Sequence, residues 1–126
     1  KLIVKKDNYK IDQNVKEIYK PIQLKFSVCS EVDFIKNSYQ AFLDIEKITF
    51  PLILRKWQKG DSFYPLGMKN KKKLSDFFID EKFSQFEKKD SWLLLSNNEV
   101  VWIINHRLDD RYKVSSNTTN FLQIET

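Results

Sequence analysis

Ile22, Leu24, Phe26 and Val28 alternate with polar residues, the period-two pattern of a strand with one buried face. Ala41 to Ile45 and Pro51 to Trp57 predict further strands. Pro51 suits the first position of a strand, where a missing N–H is tolerated. Leu2 to Val4 predicts a short strand ahead of these. Two later runs are apolar throughout: Trp92 to Leu95 and Val100 to Ile104. The second has no polar face and predicts a central strand. Ser96-Asn97-Asn98-Glu99 divides the two runs, and Asn tolerates positive φ, so together they predict a hairpin. Arg111 to Ser115 and Phe121 to Glu125 flank the polar stretch Asn117 to Asn120 and predict a second hairpin.

Helical spacing is the exception along this chain. Leu74, Phe77 and Phe78 share one face at i, i+3 and i+4. They predict a helix with Asn70 as its N-cap and Lys71, Lys72 and Lys73 in its first turn. A second helical stretch is expected over Lys82 to Lys89, and a further short one over Ser30 to Asn37. Residues 1–40 read as an N-terminal strand region leading into a domain over 41–126, forming one compact unit overall.

Composition bounds the class. The 126 residues are 41% hydrophobic and include ten Phe and three Trp, enough for a buried core. No run approaches the ~18 apolar residues of a membrane span, so no membrane partner is expected. The single cysteine, Cys29, excludes an internal disulfide framework and fits a reducing, cytoplasmic setting. The chain does not open on Met, which suggests that it is cut from something longer.

Charge changes the picture more than composition does. The net charge is +5, yet 47–73 alone carries eight basic residues against one acid, a local net of +7. The basic residues are Lys47, Arg55, Lys56, Lys59, Lys69, Lys71, Lys72 and Lys73, opposed only by Asp61. Such a local excess points to an anionic partner. Both glycines of the chain, Gly60 and Gly67, lie in the same segment with Pro65 between them. Unusual backbone geometry is therefore concentrated there. Three lysines in a first helical turn oppose the helix dipole and make sense beside a phosphate. The plainer reading is a solvated lysine loop.

The run Leu54-Arg55-Lys56-Trp57-Gln58-Lys59-Gly60-Asp61-Ser62-Phe63-Tyr64-Pro65-Leu66-Gly67-Met68 leads on to Lys72-Lys73-Leu74-Ser75-Asp76-Phe77-Phe78-Ile79-Asp80. With Ile103 to Val114, it resembles the C-terminal signature of the tRNA(Ile)-lysidine synthetases. The resemblance is close over about residues 40 to 115 and weak before them. It implies an α+β fold, mostly antiparallel β, with a sandwich-like core and one or two short helices. It also implies kinship to a module of the phenylalanyl-tRNA synthetase β subunit. The implied parent enzyme uses ATP with Mg2+ to activate the wobble cytidine of tRNA(Ile) and joins L-lysine to that base. The family's catalytic machinery sits in an N-terminal domain with a Ser-Gly-Gly-x-Asp-Ser loop, which this chain lacks. The expectation is a non-catalytic fragment with no cofactor of its own, holding the acceptor-stem end of tRNA(Ile).

Expected partners are the tRNA, the N-terminal catalytic domain and, in a homodimer, a second copy. The chain departs from the family at Ser62 and Gln85, where the family often has Arg. It also has Asn70 and Asn105 at family glycine positions, where Asn can accept positive φ.

Arg55, Lys56, Lys59, Lys69, Lys71, Lys72, Lys73, Arg107 and Arg111 are the RNA-contact candidates. For Arg107 and Arg111 an internal ion-pair network is the competing role. Gly60, Asp61, Pro65, Gly67, Asp76, Phe77 and Asp80 form the structural motif. Asp61, Asp76 and Asp80 match no metal-binding spacing, and pairing with nearby lysines is their expected role. His106 is the sole histidine, so it cannot complete a triad or a zinc site. Trp57, Phe63, Tyr64 and Trp92 are candidates for stacking on unpaired bases, although core burial is the commoner fate. The competing function is a protein–protein module that docks on the catalytic domain or dimerises.

Overall fold

A computed structural model describes residues 8–30 and 39–126 of the chain. The strand expected over Leu2 to Val4 lies outside the described residues. So does the helix expected over Ser30 to Asn37, apart from Ser30.

Eleven strands and two short helices follow one another among the described residues. The strands are β1 (Tyr9–Ile11), β2 (Glu17–Ile18), β3 (Leu24–Cys29), β4 (Gln40–Asp44), β5 (Leu52–Lys56), β6 (Ser62–Phe63) and β7 (Lys72–Lys73). Then come α1 (Leu74–Asp80), α2 (Gln85–Lys89), β8 (Trp92–Ser96), β9 (Glu99–Ile103), β10 (Arg107–Leu108) and β11 (Phe121–Glu125). A five-stranded sheet runs in the order β1-β5-β8-β9-β10, and a four-stranded sheet in the order β2-β3-β11-β4. Every pairing is antiparallel.

The two sheets form a sandwich. Ile11, Leu52, Leu54, Leu94 and Trp102 of the larger sheet pack with Leu24, Phe26, Ala41, Leu43, Leu122 and Ile124 of the smaller. A second core covers the other face of the larger sheet. There Leu93, Leu95, Val100 and Ile103 pack against Phe63 and against Leu74, Phe77 and Phe78 of α1. The central sheet is thus covered on both faces, which is why β8 and β9 carry no polar side. A register shift between Leu94 and Leu95 marks a β-bulge, in which Trp102 pairs with Leu94 and Val100 with Leu95. The unpaired Val101 between them is fully buried and joins Trp102 in the sandwich core.

The Ser96–Glu99 hairpin forms as the sequence predicts. Asn97 and Asn98 have φ of 51° and 66°, as a two-residue turn of the primed type requires. Four other expectations fail. The lysine run does not open the helix, because Lys72 and Lys73 pair as β7 with Phe63 and Ser62 of β6. The helix starts at Leu74, with Lys73 at the cap position and no side-chain cap, so Asn70 is not its N-cap. The reason is local: once the glycine loop folds back, the β6–β7 ladder satisfies backbone groups that a longer helix would have used, and the Leu74 amide donates to the Asp61 carbonyl.

The second hairpin does not form either. Asp110–Tyr112 is a 3-10 turn, and β11 pairs with β3 and β4 instead. Asp109 caps that turn through the Arg111 amide, and the Tyr112 hydroxyl donates to Glu99, which ties the stretch to the larger sheet. The fourth failure is the positive φ expected at Asn70, which it does not adopt, whereas Asn105 does, at 66°.

Candidate nucleic-acid interface

The segment between β6 and β7 is a loop held from behind. Pro65 to Met68 makes a tight turn closed by the Met68 amide on the Pro65 carbonyl at 2.8 Å. Gly67 lies in this turn at φ 88°, where a side chain would be strained. Asp109 and Asp110, directly after β10, clamp the turn. The Tyr64 amide donates to Asp109 at 2.9 Å, and the Gly67 amide donates to Asp110 at 2.9 Å. The Asp110 amide returns a bond to the Tyr64 carbonyl at 2.7 Å, and the Leu66 amide donates to the Leu108 carbonyl. Asp109 is fully buried and also accepts from the Arg111 guanidinium. The bond from Gly67, reinforced by Lys113, holds the Asp110 carboxyl below its ordinary range. Burial and the bond to Glu99 push the Tyr112 phenol up.

The nine cations singled out by sequence divide into two groups. Five are engaged within the protein. Arg55 makes a bidentate bond to Asp61 with both contacts at 2.9 Å. Lys56 meets Asp90 at 3.3 Å, donates to the Lys89 carbonyl and lies over the Trp92 ring. Lys72 pairs with Asp80. Arg107 pairs with Glu81 at 3.2 Å and lies over Phe77. Arg111 bridges Asp109 and Glu99 over the Tyr64 ring. The other four, Lys59, Lys69, Lys71 and Lys73, are exposed and make no hydrogen bond or ion pair with the described residues. Lys69 is near enough to Asp110 to help depress its carboxyl without pairing with it. All four lie on 59–73, around the clamped loop. Among the cations of 47–73, Lys47 is also paired, with Asp44 at 3.9 Å. The local excess of charge is therefore displayed by unpaired lysines on the loop and its flanks.

The remaining candidates fall into place around this arrangement. Gly60 adopts φ 99° beside the Arg55–Asp61 pair, and Asp61 also accepts from the Gln58 amide at 2.7 Å. Phe63 and Phe77 are buried edge to face, with ring centroids 5.2 Å apart. Trp57 packs on Phe78, Trp92 sits under Lys56, and Tyr64 sits under Arg111. Asp80 pairs with Lys72, while Asp76 makes no ion pair with the described residues. His106 lies 4.6 Å from the Phe83 ring, and burial lowers its pKa. Among the described residues no group of three His, Cys, Asp or Glu is placed to hold a metal ion. None of their helices is long and apolar enough to cross a membrane.

The family model described as "TilS substrate C-terminal domain" matches residues 52–125, from the start of β5 through β11. The chain belongs to this family. The match includes the clamped loop, its four unpaired lysines and the Asp109-Asp110 clamp. A tRNA(Ile)-lysidine synthase of Parabacteroides distasonis is 45% identical over 107 residues, covering 82% of this chain and 24% of the relative. One from Caldanaerobacter subterraneus is 40% identical over 93 residues, covering 74% of this chain and 20% of the relative. The chain thus spans about a quarter or less of the length of these relatives.

Two solved structures share the fold. A crystal structure of a TilS C-terminal domain superposes with a TM-score of 0.77 at 15% identity, over 94% of this chain and 95% of that one. An N-terminal fragment of the phenylalanyl-tRNA synthetase β subunit from Pyrococcus horikoshii matches with a TM-score of 0.58 at 20% identity. It covers 68% of this chain and 27% of that chain. The implied α+β sandwich is therefore correct, and the synthetase fragment shares that fold.

For this TilS-family domain, sequence reasoning named the loop and its lysines but assigned no clamping role to Asp109 and Asp110. The sequence signal for that role is an acidic pair shortly after the apolar run Val100 to Ile104. What the pair holds is visible only in the folded chain, in its bonds to Tyr64 and Gly67 and the bridge between Pro65 and Asp109.

Proposed function

We propose that this domain grips tRNA(Ile) for a tRNA(Ile)-lysidine synthase, holding the acceptor-stem end while a separate N-terminal domain carries out the chemistry. The single observation behind this reading is the clamped loop, with four unpaired lysines displayed on it and beside it. A preordered backbone lets these amines meet phosphates without an internal partner having to be broken first. Phosphate contacts position an RNA without reading its sequence, and A-form stems are recognised mostly by shape and backbone. Lys59, Lys69, Lys71 and Lys73 are the direct contacts in this account. Arg55, Lys56, Lys72, Arg107 and Arg111 hold the framework and add to the positive field. The chemistry of the whole enzyme, ATP-dependent ligation of lysine to the wobble cytidine, belongs to the rest of the protein.

A titration of the chain with a tRNA(Ile) transcript, its acceptor-stem minihelix and its anticodon stem–loop tests this reading. The first two should bind with similar affinity and the third more weakly. Equal binding of both stems would overturn the acceptor-end assignment. Failure of all three would overturn the RNA reading. A second reading, docking to the catalytic domain or to another copy, is favoured by apolar surface at Tyr19 and Val28, which are 70% and 62% exposed. It predicts concentration-dependent sedimentation and little RNA binding.

A further inference from the structure

Phe83 and Phe86 lie three residues apart and have opposite fates. Phe83 turns inward onto Phe77, Phe78 and His106. Phe86 points out of α2 and is 84% exposed, so the core gains almost nothing from it. Its backbone is nevertheless firmly placed. Ser84 and Glu87 form a capping box at the start of α2, with bonds of 3.1 and 3.0 Å. At the other end Ser91 donates to the Glu87 carbonyl and Lys56 to the Lys89 carbonyl. A shallow groove beside the ring is lined by Lys56, Gln85, Phe86, Lys89 and Asp90. Asp90 partly neutralises Lys56, while the Lys89 side chain makes no pairing with the described residues. The groove therefore joins an open aromatic face, the unpaired Lys89 amine, the Gln85 amide and the Lys56–Asp90 pair. Lys56 connects it along the chain to Lys59 and the lysine-bearing loop.

We propose that Phe86 is a stacking platform for an unpaired nucleotide of the bound RNA, with the unpaired Lys89 amine beside it for a flanking phosphate. The proposal rests on the RNA-gripping role and adds a contact that the duplex-facing lysines do not provide. Base–aromatic stacking tolerates any base, because every base has a π-face. Only the rotamers of the ring remain to be ordered by the RNA, because α2 already holds its backbone in place.

The test compares a blunt RNA hairpin with the same hairpin carrying a short single-stranded 3′ overhang, followed by fluorescence anisotropy. The wild-type chain should bind the overhang form more tightly. Phe86→Ala should weaken overhang binding about tenfold and leave the blunt hairpin unchanged, and Phe86→Trp should restore it. Circular dichroism checks that the surface substitutions leave the fold intact. Equal effects of Phe86→Ala on both RNAs, or none on either, would overturn the platform while leaving the RNA-gripping role standing. If neither RNA binds the wild type, that role fails and the platform fails with it. If Phe86→Ala instead abolishes self-association without changing overhang preference, the ring serves a protein partner and the proposal is wrong.

Discussion

Removing the Asp109 carboxylate would leave the Tyr64 amide, the Arg111 amide and the Arg111 guanidinium without their acceptor. Asp109 is fully buried, so water cannot easily replace it. Arg111 keeps Glu99 and is about one-third exposed, which softens the charge penalty. Asp109→Ala is therefore expected to cost about 2–3 kcal/mol in urea unfolding, mainly through donors stranded at the loop. A loss under roughly 0.5 kcal/mol, the range of ordinary surface changes, would refute the clamp. At this scale the sequence is informative wherever a residue type has one physical use. Asn97 and Asn98 announce their turn because Asn accepts positive φ. The partners of Arg55, Arg107 and Arg111 are less legible. Asp61 lies nearby in sequence, but Glu81 is 26 residues from Arg107, and nothing local announces that pairing.

The glycine loop behaves as an element whose anchor is a charged carboxylate. The Asp110 carboxyl is lowered below its ordinary 3.8 in the fold, first by the Gly67 amide and then by Lys113. A lowered carboxyl contributes stability above its unfolded pKa and loses it as pH falls through the folded value. Urea midpoints between about pH 5 and about pH 2.5 should therefore fall more steeply for the wild type than for Asp110→Asn. The variant keeps an oxygen for Gly67 but has no charge to lose. Parallel profiles for the two proteins would contradict this assignment. The same element shows why the lysine run resembles a helix start without being one. Helical spacing at Leu74, Phe77 and Phe78 is sound, but it does not mark where the helix begins. The β6–β7 ladder fixes that point, and a two-residue strand carries almost no periodic signal of its own. Likewise, Arg111 to Ser115 has strand-like composition, but the Asp109 cap and the buried Tyr112 turn it into a 3-10 turn.

Across the whole molecule, two apolar strands without a polar side point to a sheet covered on both faces, and the structure supplies the two covers. The way the +7 segment is divided is not legible in the sequence, because ion pairs such as Lys56–Asp90 and Lys72–Asp80 form only in the folded chain. Folding leaves Lys59, Lys69, Lys71 and Lys73 free of internal partners among the described residues and takes the other candidate cations into internal pairs. We propose that these four amines, displayed around a clamped loop, carry the electrostatic part of RNA binding. The most direct test is the slope of log affinity for a tRNA(Ile) transcript against log salt. It would be measured for the wild type, for the variant with all four lysines replaced by Ala, and for Arg107→Ala. Removing one amine that neutralises a phosphate should flatten the slope by roughly one. The fourfold variant should therefore shed most of its salt dependence, by roughly three to four, while Arg107→Ala changes it little. An unchanged slope in the fourfold variant, or an equal flattening in Arg107→Ala, would contradict the account.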